Sequence, residues 1–587
     1  MDSATSGYIR SNISSDKTIR ESFNTFEYKQ MKILLEDLTT LFMKKYSFIK
    51  TIRLKYLILR FSSKIAEPVA SHSKKFETPE VQFNCLGVNT RQTAIVLGNY
   101  HDQHLNSQFQ NIKFTQNTKH FDALCCNKLI TQLNRDGRLP DIRQTTSFKD
   151  LHPTAGKVIL SGLGKEDAGY DSKNKFCKLK ENSRIAAGVG TKVAQDEGHI
   201  EVYVEKMNDF SATSEGAHLA SYCYQKFKHE CDRKIPEVII NSYEDCCLNI
   251  KCEPLERDQW LWGRDCAETQ NFTRDLASIP TNMMTPEVFT QQAVKTIADI
   301  PGLSMNILQE KIIIEKNMNG LVALSKGSCR RPIFLEIEYT GCKCSEEPAP
   351  VILIGQGVTS VNTSPVCKSN KAQTHIIGAA TVLATMKMIA EQKKPINIRG
   401  LIPLCEISNG PCEKEIVEGM DETIVQVSDP RRFNVLAMMD ALTYSRDRKP
   451  IAIVSLMNSP GLGYSDLRSI ASATFCNNES LWETFKNAAR HTGDLLHRYP
   501  LDAQYDNYIK GDCGHWKNAS NVDPLSTDAR ILSKFVGDKI PWIHMELQYV
   551  NYNPHNIPYL RLDQIPGRPT RTITEGILQM LTKDRKK

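Results

Sequence analysis

No stretch of this 587-residue sequence reaches the roughly 18 consecutive apolar residues that a membrane-crossing helix needs, so a transmembrane span is not expected. No long Lys/Arg block alternates with aromatics. The net charge of +7 is spread thinly along the chain, which argues against nucleic acid as a partner. No CxxC pair recurs among the 18 cysteines, which fall irregularly as Cys125-Cys126, Cys246-Cys247, Cys252 and Cys342-Lys-Cys344 with the rest scattered. They read as free thiols in a reducing compartment rather than as a zinc site or redox pair. His101 and His104 have one possible helical spacing, lack further ligand partners nearby, and read as surface. Internal repeats and low-complexity tracts are absent.

A local absence is more telling. Between Leu38 and Ala66 there is no acidic residue, while Lys44, Lys45, Lys50, Arg53, Lys55, Arg60 and Lys64 interleave with apolar positions such as Phe42, Phe48, Ile52, Leu57 and Leu59. A basic, acid-free, amphipathic stretch followed by serines has the composition of a mitochondrial transit peptide. It would serve best if translation began at Met43, because Asp2, Asp16, Glu21, Glu27, Glu36 and Asp37 precede it. Import would leave a mature chain starting after Arg60 and before Gln92. A basic surface helix in a cytoplasmic protein is the alternative.

What is present is the composition of a globular protein, 40% hydrophobic and 24% charged, and the length suits two domains plus an extension. Short apolar runs at Thr93–Gly98, Lys157–Gly162, Ile200–Val204 and Glu237–Asn241 alternate with helical stretches, the pattern of a small parallel sheet with helices on its faces. Gly162-Leu-Gly164 follows one such strand but lacks the third glycine of a dinucleotide fingerprint, and Lys165-Glu-Asp is a poor phosphate cradle. A helical bridge runs from Leu255 to Asp275. In the second domain Thr285-Pro-Glu caps a helix, strands are expected at Pro350–Gly355, Ile396–Leu404 and Pro450–Leu456, and Ile376–Ala384 reads as a closely packing small-residue helix. The expected organisation is an N-terminal extension 1–80 with its basic segment 38–66, a small α/β domain 81–250, a linker helix 251–275 and a larger α/β domain 276–587 with a central mixed sheet flanked by helices.

Several motifs recur in a fixed order: Arg274-Asp-Leu with Asn282 and Thr285-Pro286, Gly355-x-Gly-Val-Thr359, Gly378-Ala-Ala, Pro395 to Glu406, Met439-Asp-Ala-Leu442, and the closing Pro558-Tyr-Leu with Gly567-Arg-Pro-Thr-Arg571. From about residue 90 onward the chain resembles the leucyl aminopeptidases, peptidase family M17. The resemblance implies two divalent ions, zinc or manganese, held by one lysine, three aspartates and a glutamate, with a second lysine and an arginine assisting.

Carried over residue by residue, Gln356 stands for the ligand lysine, Val361 for the first aspartate and His375 for the second. Arg431 and Phe433 stand where the last aspartate and the glutamate belong, in a motif that reads Asn-Thr-Asp-Ala-Glu-Gly-Arg in the family. Val435 replaces the catalytic arginine, and Lys368 matches the catalytic lysine. Of these, His375 alone is a good ligand for a divalent ion. A guanidinium about 4 Å from a dication would oppose it by roughly 8 kcal/mol at an effective dielectric near 20, so Arg431 is expected to repel metal. Ser360, Cys367 and Ser428, with His375 as base and Asp429 as orienting acid, lack a framing nucleophile motif.

The expectation is therefore a family member without its metal site or any cofactor, a structural or assembly protein that most resembles the degenerate sperm leucyl aminopeptidase-like proteins of insects, which accumulate in sperm mitochondrial derivatives. An active metal-dependent aminopeptidase and a non-cutting peptide-binding module are the alternatives. The resemblance also implies a homo-hexamer, a dimer of trimers, in which related paralogues can mix.

Overall fold

The computed structural model describes residues 92–584 apart from 102–112, 137, 152–155, 173–175, 244–253, 343–348, 361–374, 460–469, 549, 552–556 and 563. The basic segment 38–66, Val361, Cys367 and Lys368 lie outside the described residues. The described residues belong to one compact unit.

The N-terminal half builds on β1 (Thr93–Tyr100), β2 (Lys113–Phe114), β3 (Thr145–Phe148), β4 (Lys157–Gly162), β7 (Glu201–Val204) and β8 (Ile239–Ser242), with β5 (Tyr170–Asp171) and β6 (Phe176–Cys177) paired apart from them. The sheet order is β3-β4-β1-β7-β8, with β2 alongside β1. β4, β1, β7 and β8 run parallel, while β2 and β3 pair antiparallel. The parallel sheet expected from the sequence thus carries antiparallel additions, because the link from β3 to β4 is too short for a crossover and allows a hairpin only. β1 is a continuous apolar run because both its faces are covered. Ala94 and Val96 join one cluster with Ala186, Ala187 and Phe210; Ile95 and Leu97 join another with Phe121 and Leu133.

The helix Pro254–Ala277 leads into the second half. Its sheet has the order β18-β17-β20-β16-β11-β13-β10-β9, with β12 beside β13. These strands are β9 (Leu303–Gln309), β10 (Ile333–Thr340), β11 (Val351–Gly355), β12 (Gly357–Ser360), β13 (Asn397–Ile407), β16 (Ala452–Met457), β17 (Ala471–Cys476), β18 (Leu495–Arg498) and β20 (Trp542–Glu546). A smaller sheet joins β14 (Ile416–Glu418), β15 (Ile424–Gln426) and β19 (Trp516–Lys517). Parallel pairing unites β20, β16, β11 and β13, and antiparallel pairing adds β10, β9 and β17. This is the expected mixed sheet.

Helix Pro286–Ile297 begins as its sequence dictates, with Thr285 accepting from the Val288 amide and proline in the first turn. The helix Ile377–Glu391 packs on one face of the sheet and Asn434–Arg446 on the other. The first approaches β11 so closely that a Cβ on Gly355 would lie 2.4 Å from the Gly378 carbonyl oxygen, and only glycine fits. Both helices start at the carboxyl ends of the parallel strands. That is where an open α/β sheet leaves a crevice.

Candidate functional site

Gln356 follows β11 directly, His375 lies two residues before the helix that begins at Ile377, Asn434 opens the next helix, and Asn458 follows β16. All four are buried, with Phe433 and Val435 beside them. The Gln356 side-chain amide donates to Asn434 Oδ1, and its Oε1 accepts from the Asn458 backbone N–H at 2.8 Å. His375 Nδ1 lies 3.2 Å from the Asn458 carbonyl oxygen, an acceptor, and 3.3 Å from the Asn458 side-chain amide nitrogen, a donor. Its ring meets Phe433 edge to face, 5.6 Å between centroids. Burial pushes the imidazole down to about 4 against a weaker opposing effect of the Asn458 bond, so it is neutral at physiological pH. Among the described residues the cluster is uncharged and joined by its own hydrogen bonds.

Arg431 differs from the sequence expectation. Its side chain is 80% exposed and its Nε and Nη2 each reach Asp429 at 3.0 Å, a two-pronged pair at the surface. Burial alone would raise Asp429, yet the bonds from Arg431 outweigh it and hold that carboxyl below its usual range. The repulsion expected of Arg431 therefore does not operate inside the cluster, because a solvated and neutralised guanidinium projects little field into it. The buried cation is its neighbour Arg432, which donates to Ser520 O, to Pro524 O at 3.1 Å and to the Asp528 carboxylate. Burial pushes Asp528 up to about 8 in spite of that partner.

The loop before the helix Asn434–Arg446 is fixed by one fully buried side chain. Asn518 Oδ1 accepts from the Ser428 and Asp429 amides, and its Nδ2 donates to the Asp429 and Arg432 carbonyls at 2.9 and 3.0 Å. Ser428 Oγ donates to the Ala519 carbonyl at 2.9 Å, so it is engaged rather than poised as a nucleophile. Beside the loop opens a polar cavity of about 490 Å³ lined by Glu413, Ser428, Asp429, Arg431, Ser520 and Asn521 among others.

Asn434, Asn458, Arg432 and Asn518 escaped the sequence reading. Asn434 was within reach, since it stands at the glycine of the family motif that Phe433 and Val435 flank. Asn458 and Asn518 carry no local signal, being lone asparagines on loops.

Two other constellations resolve as structural. Ser455 Oγ lies 2.8 Å from His544 Nδ1, and Glu546 Oε1 3.5 Å from His544 Nε2. All three are fully buried, and Ser455 Oγ also accepts from the Trp542 indole, so this group is an interior brace without access to substrate. In the N-terminal half, Glu205 at the end of β7 accepts from the Gly98 amide at 2.8 Å and from Thr115 and Thr118. A carboxylate thus occupies the crevice where a phosphate would sit. Gly162 serves packing, since a Cβ there would come 2.2 Å from Asp141 O.

Comparison with known proteins agrees with this frame. The cytosol aminopeptidase family's catalytic-domain model matches residues 271–574 and its N-terminal-domain model residues 94–230. The cytosol aminopeptidase of Xenopus tropicalis is 30% identical over 502 residues, 83% of this chain and 92% of the relative. That of Homo sapiens is 30% identical over 483 residues, 80% and 89% of the two chains. Among solved structures, a tomato leucine aminopeptidase variant superimposes with a TM-score of 0.68 at 18% identity, over 88% of this chain and 99% of its own. The bottromycin maturation enzyme BotP gives 0.67 at 20%, over 84% and 99%. By sequence and by fold alike, the chain belongs to the cytosol aminopeptidase family, peptidase family M17.

Proposed function

We propose that this chain is a non-catalytic member of its family, a structural or assembly protein whose two-metal cleft has become a neutral hydrogen-bonded core. The observation that carries the reading is the chain of contacts Asn434–Gln356–Asn458–His375. A divalent ion needs several anionic oxygens or imidazoles at about 2.0–2.4 Å, and the described donors of the cluster are one imidazole and three carboxamides. Gln356 already spends both polar atoms of its side chain on neighbours, and Phe433 and Val435 offer none. These residues do not fit a metal. Among the described residues no group of three or more His, Cys, Asp or Glu is arranged to hold an ion. Elemental analysis of the purified protein, with a leucyl-amide assay in excess manganese, tests the reading: two bound ions per chain, or turnover above a blank, would overturn it.

Two other readings have support of their own. The names of the relatives at 30% identity favour an active aminopeptidase, which the same assay decides. The open polar cavity beside Arg431 favours a peptide-binding module that does not cut, which a peptide pull-down decides. The proposal extends to a homo-hexameric assembly, mixed with paralogues, in the mitochondrial derivatives of sperm. Light scattering that reports a monomer would sink the assembly. No helix among the described residues is long and apolar enough to cross a membrane. Processing at the basic segment 38–66 supports the mitochondrial address, and unprocessed protein in the cytosol would remove it.

A further inference from the structure

The segment from Pro558 to Arg571 binds the N-terminal half to the C-terminal half. Tyr559 lies so close to the helix Lys178–Asp196 that a Cβ on Gly188 would come 2.3 Å from its own Cβ. Lys192 on that helix donates to the Pro558 and Leu560 carbonyls, and Arg561 returns to Asp196 and Gln195.

Beneath this run lies a buried charge network. Glu215, on the N-terminal-half helix Phe210–Ser221, receives Arg184 from its own half and Arg571 from the other, both at 2.6 Å on the same oxygen. Arg571 continues to Asp494, which also receives Arg568, and Arg184 continues to the His491 carbonyl. Each of these charged side chains is more than nine-tenths buried. A second cation works in parallel: Arg274, fully buried, donates to Leu219 O of the N-terminal half and Ile565 O of the closing segment, with its guanidinium 3.9 Å from the Tyr222 ring centre.

We infer that Pro558–Arg571 is a strap that makes the two halves one cooperative folding unit, with Glu215 as the counter-ion shared across the junction. One carboxylate holding two guanidinia from different halves cannot be lost locally. When the halves separate, the C-terminal side keeps Arg568 and Arg571 with Asp494 alone, and the N-terminal side keeps Glu215 and Glu181 with Arg184 alone, so each side is left with one uncompensated charge and neither opens without the other. Asp494 is prepared for the same task, since Arg571 and Arg568 overcome its burial and hold its carboxyl below the usual range. The N-terminal half is then a component of the scaffold and not a separable module.

Native-state amide exchange on the full chain tests this. In the unaltered protein the helices Lys178–Asp196 and Ile377–Glu391 should open at rates within a few fold of each other, as parts of one unit. In Glu215→Gln the first should exchange at least about tenfold faster while the second stays unchanged, because a broken buried pair frees one side of the junction. Should Glu215→Gln fail to fold, Lys192→Met removes two strap contacts without disturbing the network, and the two helices should then exchange faster together, by about threefold. Fast exchange confined to the N-terminal half of the unaltered protein would overturn the inference. So would an equal change in both halves, or none, in Glu215→Gln, or a one-sided change in Lys192→Met.

Discussion

Replacing Gln356 by leucine tests the closed cluster most directly. The side chain is fully buried and makes two bonds, one donated to Asn434 Oδ1 and one accepted from the Asn458 amide. Leucine fills similar space but can make neither, so one buried acceptor and one buried donor lose their partners. Each orphaned group costs about 1–3 kcal/mol, and the added apolar area returns about 1 kcal/mol, for a net loss of about 1–5 kcal/mol. Urea unfolding followed by circular dichroism, with chelator and with excess manganese, measures it. The loss should be the same in both buffers. The double variant Gln356→Leu/Asn434→Leu should recover part of it, because removing both partners of a buried bond costs less than removing one. A single-variant loss below about 0.5 kcal/mol, or strict additivity in the double, would show that the contacts contribute nothing and would refute the reasoning.

The remaining predictions concern charge. His375 titrates near 4 in the fold, below its unfolded value, so its stabilisation is complete above the unfolded pKa and is lost as pH falls from about 6.5 to 4, by up to about 3 kcal/mol; His375→Gln should flatten that acid limb by about half in thermal melts, since buried His218 is pushed down to about 4 in the same way. Asp440 has the opposite sign. Burial outweighs its bonds from backbone amides and raises it to about 7, so the stability it contributes at low pH is lost between about pH 4 and 7, by up to about 4 kcal/mol, and Asp440→Asn should make the melting temperature less pH-dependent across that window. Arg432→Met should cost about 3–5 kcal/mol in urea unfolding by taking the donor from three acceptors, on Ser520, Pro524 and Asp528, whereas Arg431→Met, at the surface, should change stability little.

The contrast between those two arginines shows where sequence reading ran out. Strands such as β1, β4, β11 and β16 were legible because a strand covered on both faces writes an unbroken apolar run, and the helix start at Thr285-Pro286 because capping chemistry is local. The positions Gln356, His375 and Phe433 followed from the motif frame, and the structure brings these three together. Which way a side chain points does not follow from a frame. Arg431 and Arg432 are adjacent and alike, and the burial of the second is settled by Asp528 and Ser520, some ninety residues away. Asn458 was invisible for the same reason: its contribution is a backbone amide offered to Gln356, and a backbone amide has no sequence signature.

The bonding around Gln356 also makes the site hard to leave by single steps. A lysine there, as the family frame would have it, brings three donors and no acceptor. Its ammonium would face the Asn458 amide, itself a donor. Restoring an acid at position 433 alone would bury a charge where the Phe433 ring now lies against His375. Either substitution alone is thus unfavourable unless others accompany it. A lineage that has reached this arrangement is held there by its own interior, and its later change is channelled to surfaces such as the rim around Arg431.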